Sequence, residues 1–144
     1  MKKLFFVGLA TLAVSSATLT SCSKYEEGPS FALSSKVARL TGSWKLTSQT
    51  TNGVADPLTG LTTTMSVLND GTYSTEVSYS YMGFNYTNNF DGTWAFSEDK
   101  TQLITTVNGA SGTETQTIVR LASKELKLKS VNGSETVIQT WTAQ

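Results

Sequence analysis

The chain has 144 residues, the size of one ordinary domain, with 11 basic and 11 acidic side chains and no histidine. The balanced charge argues against a nucleic-acid or polybasic membrane role, and without histidine the usual general base and the commonest metal ligand are missing. The single cysteine, Cys22, rules out an intrachain disulfide.

The first segment carries Lys2 and Lys3, an apolar run from Leu4 to Val14, and a small, hydroxyl-rich stretch from Ser15 to Ser21. This is the pattern of a secretory signal. The apolar run is far short of the roughly 20 residues a membrane-spanning helix needs. Leu19-Thr20-Ser21-Cys22 resembles a bacterial lipobox. The resemblance implies that residues 1–21 are removed and that Cys22 carries a diacylglyceryl group on sulfur and an acyl chain on its amine. It implies no other cofactor. The protein is then anchored by lipid in the outer membrane of a Gram-negative cell. Each buried methylene contributes about 0.8 kcal/mol and a single chain holds only marginally, so several chains make detachment slow. Loss of Lys2 and Lys3 leaves nine basic against eleven acidic residues, a formal charge of −2.

Ser23-Lys24-Tyr25-Glu26-Glu27 resembles the tag by which some Gram-negative bacteria export lipoproteins to the cell surface. On composition alone the same residues read as a solvated, flexible tether, here taken as residues 22–33. Gly28-Pro29 ends the charged part, and Ser34-Ser35 can cap a short helix through Lys36 to Leu40.

The domain over residues 34–144 reads as all-β. Asn52-Gly53, Asp70-Gly71, Asp91-Gly92, Asn108-Gly109 and Asn132-Gly133 are hairpin signals because these pairs tolerate positive φ. Between them apolar and polar residues alternate: Val77, Tyr79 and Tyr81 share one face, Glu76, Ser78 and Ser80 the other. The pattern predicts strands over Ser43–Thr50, Leu61–Leu68, Thr72–Tyr81, Phe84–Phe96, Gln102–Asn108, Thr113–Leu121, Glu125–Val131 and Ser134–Ala143. The fourth is expected to bulge near Asp91-Gly92, and Thr51 to Gly60 is a long loop. Eight strands with tight turns suit an antiparallel up-and-down barrel, which removes exposed edges by closing.

Gly42-Ser43-Trp44 at the head of the first strand resembles the Gly-x-Trp motif of lipocalins. Asp70-Gly71-Thr72, Gly92-Thr93-Trp94 and Ile118-Val119-Arg120-Leu121 ahead of Leu126-Lys127-Leu128 extend the likeness to the lipocalin-like domains of bacterial lipoproteins. The resemblance covers about Leu40 to Ala143 and implies an eight-stranded barrel. Two features depart from it. No helix follows the last strand, and that strand holds no arginine to stack on the first-strand tryptophan; Arg39 or Arg120 are the candidates for that place. A β-sandwich is the competing architecture, without the Cys…Trp…Cys spacing of immunoglobulin domains.

No catalytic constellation emerges, and the expectation is a protein that is not an enzyme. Glu98-Asp99 reads as a solvated turn, Asn88, Asn89 and Asp91 match no calcium-loop spacing, and Lys124, Lys127 and Lys129 form the wet face of a strand. In an up-and-down barrel Trp44, Trp94, Phe96 and Trp141 all belong to the end where the first strand starts, as a structural base. Tyr79, Tyr81, Phe84 and Tyr86 belong to the mouth, as candidate ligand-binding residues. Two functions follow. A hollow barrel would bind a small apolar or amphipathic ligand; a filled one would leave an interaction module for a protein or glycan partner of the envelope. A free volume of about 300 Å³ or more, lined by those aromatics, favours the ligand.

Overall fold

In the computed structural model the described residues are 25–29 and 33–144. The signal segment and the lipobox with Cys22 lie outside them. Ser35 caps helix α1 (Lys36–Leu40), its hydroxyl accepting from Ala38 N at 3.1 Å, and the chain turns into strand β1 (Gly42–Thr51). Then follow β2 (Val54–Ala55), β3 (Leu61–Val67), β4 (Thr72–Tyr81), β5 (Phe84–Phe96), β6 (Gln102–Val107), β7 (Glu114–Leu121), β8 (Glu125–Asn132) and β9 (Glu135–Ala143). From β4 onward each strand lies antiparallel beside its predecessor, β1 pairs with β3, and β9 pairs back onto β1. The sheet therefore closes into an eight-stranded antiparallel barrel and no sandwich forms. The short β2 is an appendage. Asn52 and Gly53 both take positive φ (51° and 80°) and fold Val54–Ala55 back on the end of β1, inside what the sequence suggested was open loop.

The bulges fall elsewhere than expected. Between β4 and β5 the register runs unbroken through Tyr73↔Gly92 and Ser74↔Asp91. Register shifts occur instead between Leu46 and Ser48 in β1 and between Ile118 and Arg120 in β7. Asp91-Gly92 is not a turn but the middle of the longest strand. Glycine is required there because a Cβ would lie 2.0 Å from the Thr106 carbonyl oxygen and 2.9 Å from Tyr73 Cε1. Only Gly92–Phe96 of β5 pairs with β6, so its first half is hydrogen-bonded to β4 alone. On its other side β4 stays paired with β3 as far as Leu61↔Tyr79, so only the β4–β5 turn projects beyond the wall.

The core fills the lower barrel. Leu40, Trp44, Met65, Val67, Leu103, Ile118, Leu121, Leu126 and Leu128 are buried there. Trp44 ties the helix down, its Nε1–H donating to the Leu40 carbonyl at 2.8 Å. Residues 25–29 are not the free tether that composition suggested. Tyr25 is 4% exposed within the core cluster, beneath the Lys36 ammonium, which stands 4.5 Å from the ring centroid. Glu27 N donates to the Val119 carbonyl at 2.8 Å, Arg120 Nη1 donates to the Glu27 carbonyl at 2.7 Å, and Lys127 pairs with the Glu27 carboxylate. The segment thus closes the barrel base from outside β7 and β8. The two arginines considered for Trp44 are each anchored by hydrogen bonds. Arg39 Nη1 donates to the Leu121 carbonyl at 2.6 Å, and Arg120 is held by Glu27 and Glu125 on the outer face.

Candidate functional site

Above the core the barrel is hollow. A cavity of about 340 Å³ lies between the strands, within the range that holds a small molecule. Strand parity decides its walls. Inward residues of β4 are Tyr73, Thr75 and Val77; opposite them on β5 stand Gly92, Phe90 and Asn88. Leu46, Met65, Leu103, Leu128 and Trp141 make the lower, apolar part.

The upper wall is polar. In a regular strand Leu46 would be followed on the same face by Ser48. The bulge at Thr47 moves that place to Gln49, which enters the lining beside Gln139. Gln139 Nε2 donates to Gln49 Oε1 at 2.9 Å, and Gln49 Nε2 donates to Asp56 Oδ2 at 3.0 Å. Thr51 Oγ1 donates to the same carboxylate at 2.8 Å, so the loop after β2 is pinned over the rim. Across the cavity Gln116 Nε2 donates to Ser130 Oγ at 3.0 Å, with Glu114 beside it at the mouth. Burial raises the Tyr73 hydroxyl above its ordinary range; its hydrogen bond with Thr105 opposes the shift and the Glu114 charge adds to it. Tyr73 is therefore neutral and presents a hydroxyl to the cavity at physiological pH.

The three indoles differ. Trp44 Nε1 donates to Leu40 O and Trp94 Nε1 to Leu68 O, both at 2.8 Å. Trp141 is 5% exposed, lines the cavity, and its Nε1–H is buried without a hydrogen-bond partner. Trp94 and Phe96 stand edge to face at 5.5 Å, half-buried against the core at the lower end of β5. Trp44, third in β1, pairs across to Ala143, and Leu46 pairs to Trp141.

Tyr79, Tyr81, Phe84 and Tyr86 share the inward parity of β4 and β5 but stand toward the β4–β5 turn, and none of them lines the cavity. Tyr79 and Tyr86 stack at 5.2 Å, while Tyr81 and Phe84 are 59% and 67% exposed. The aromatic lining comes instead from Tyr73, Phe90 and Trp141. Parity along Val137, Gln139 and Trp141 was the signal that could have found Gln139. No sequence signal marks the bulge that turns Gln49 inward. Asn88 faces in while Asn89 and Asp91 face out, so those three do not converge on a cation. Asp99 accepts from Ser97 Oγ and from Thr101 N and Oγ1, holding the β5–β6 turn.

The fold has counterparts among solved structures. Japanin from Rhipicephalus appendiculatus bound to cholesterol is similar with a TM-score of 0.53 and 14% identity, over 76% of this chain and 79% of that one. Bovine odorant binding protein with a selenium-containing odorant reaches a TM-score of 0.49 at 14% identity, over 79% and 76%. No curated protein matches the sequence. The profile of the lipocalin-like domain matches residues 40–128, more than half of the chain, and it runs from the end of α1 through β7 and into β8. The chain belongs to the lipocalin-like domain family.

Proposed function

We propose that this is a lipid-anchored, non-catalytic binding protein that holds one small apolar or amphipathic molecule inside its barrel. The observation that carries the reading is the 340 Å³ cavity with an apolar floor and a polar upper wall. A barrel of eight strands is just wide enough either to be filled by side chains or to hold one small ligand, and here the upper half is unfilled. Japanin, which shares the fold, is bound to cholesterol.

The anchor is supported by the lipobox ending at Cys22, and surface exposure by the Lys24–Glu27 tag. Tyr25 sits in the barrel base, three residues from Cys22, and three residues reach at most about 11 Å. The base then faces the bilayer and the mouth faces away, where Tyr79, Tyr81, Phe84 and Tyr86 would meet an arriving ligand. A second reading has a specific observation behind it. The exposed Tyr81, Met82 and Phe84 at the β4–β5 turn are a surface on which a protein or glycan partner could dock.

The test is binding of an uncharged solvatochromic naphthalene ketone dye. Wild-type protein should blue-shift the dye at saturating one-to-one stoichiometry. Thr63→Phe, which pushes a ring into the cavity from β3, should abolish the shift in protein that still folds. Binding that survives Thr63→Phe, or no binding by the wild type, refutes the proposal.

A further inference from the structure

Closure of the barrel leaves one length of strand edge open. β6 first pairs with β5 at Gly92, and on that side no strand lies beside residues 84–90 among the described residues. The pairing shows which backbone groups face this edge. Asn108 N donates to the Asp91 carbonyl at 2.8 Å, so Asp91 turns its backbone polar groups away from β4 and toward β6. The β4–β5 register is unbroken, and backbone groups alternate sides along a strand. Asn85, Thr87 and Asn89 therefore present their N–H and C=O groups at the open edge.

Such an edge is a template for another strand, and native sheets blunt it with lysine, proline or a bulge. Residues 84–90 read FNYTNNF, with no charge, no proline and no register shift, and all seven are exposed. Their order also says what pairs with them. Set antiparallel against a second copy about Thr87, Phe84 meets Phe90, Asn85 meets Asn89, Tyr86 meets Asn88 and Thr87 meets itself. Phenylalanine then faces phenylalanine on the inward side of the sheet, and amide faces amide on the outer side. The edge-facing residues Asn85, Thr87 and Asn89 fall opposite one another, so each of these pairs exchanges two hydrogen bonds. Asp91 falls opposite Gly83, and no like charges meet. Centring the pairing at Tyr86 or Asn88 keeps fewer of the seven residues paired.

We infer that residues 84–90 of β5 are an interface on which a second copy of this chain adds, across a two-fold axis at Thr87. The inference is independent of what the cavity holds. Because the pairing is antiparallel, the two barrel bases lie at opposite ends of the dimer. With Cys22 tethered beside each base, the lipid anchors point apart, which suits copies on facing membranes and not neighbours in one.

Cysteine trapping tests this on the mature protein in mild detergent, with the wild type, whose one cysteine is Cys22, as the background. Opposed Cα atoms in a hydrogen-bonded pair stand about 5.5 Å apart, within disulfide reach. Thr87→Cys should form a disulfide-linked dimer under mild oxidation. Asn85→Cys alone should not, since its own copy lies four residues away, about 14 Å along the strand. Asn85→Cys mixed with Asn89→Cys should link. Sedimentation gives a readout without cysteine. Wild type should pass from monomer to dimer as concentration rises. Thr87→Pro removes an edge-facing N–H that β4 does not use, so it should stay monomeric with an unchanged far-ultraviolet spectrum. If that variant fails to fold, the cysteine pairs alone decide. Wild type that stays monomeric across its soluble range, folded Thr87→Pro that dimerises as well as wild type, or equal linking by Thr87→Cys and Asn85→Cys overturns the inference.

Discussion

Gly92 is the position in the barrel wall that admits no side chain. Its neighbours approach so closely that a methyl group would overlap the Thr106 carbonyl at 2.0 Å, and backbone cannot swing aside as a side chain can. Gly92→Ala should therefore destabilise the protein by about 2–3 kcal/mol or more, the upper part of the range for overpacking. Chemical denaturation of the variant against wild type reads this directly; a loss below that of an ordinary surface glycine would refute the account of the β5–β6 crossing. The dipeptide Asp91-Gly92 also illustrates how residue signals mislead. Asp-Gly is a turn signal when the chain is free to reverse, but here the glycine serves a close backbone approach and the aspartate stands on the outer face. Asn52-Gly53 does make its turn, whereas the β4–β5 turn uses Met82 at φ 49° beside Gly83. The inward turn of Gln49 could not be read at all, since a bulge is set by pairing with β9 and leaves no mark in the local alternation.

At the scale of elements, the strands were legible because each alternates over a half-buried face and is bounded by turn residues. All eight expected strands are present, each within one residue of the expected ends. What composition hid was the segment ahead of the helix. Lysine and glutamate beside glycine and proline look like a solvated linker, yet Tyr25 is buried and Glu27 is hydrogen-bonded to β7. The two anchors are unequal. The Glu27–Lys127 pair is partly exposed, at 50% and 23%, and such pairs contribute about 0–1 kcal/mol. Removing a buried aromatic ring from a core costs about 3–5 kcal/mol. Tyr25→Ala should thus lower the melting temperature by many degrees and expose residues 25–29 to protease, while Lys127→Ala should change either by little. Equal effects of the two variants would mean that the ion pair, not the ring, holds the segment.

For the whole molecule, the topology follows from a single requirement. A meander of eight amphipathic strands has two raw edges, and pairing β9 with β1 removes both. Closure creates an interior, and the side chains supplied fill only its lower half: large apolar residues near the helix, then threonines and glutamines above. The sequence displays this division once the strand directions are known, because Leu46, Trp141 and Leu126 fall in one cross-strand row and Gln49 faces Gln139 in the next. Whether that upper space was empty could not be read, since volume depends on how far the barrel closes. The central claim is that the barrel carries one small-molecule guest in this space. Native mass spectrometry of the protein extracted in mild detergent from its own membranes measures it most directly. The account predicts a polypeptide starting at Cys22 with covalent acyl mass, plus one non-covalent small molecule that is released on activation and is missing from Thr63→Phe. A protein bearing no releasable molecule, or one that Thr63→Phe retains equally well, would contradict it.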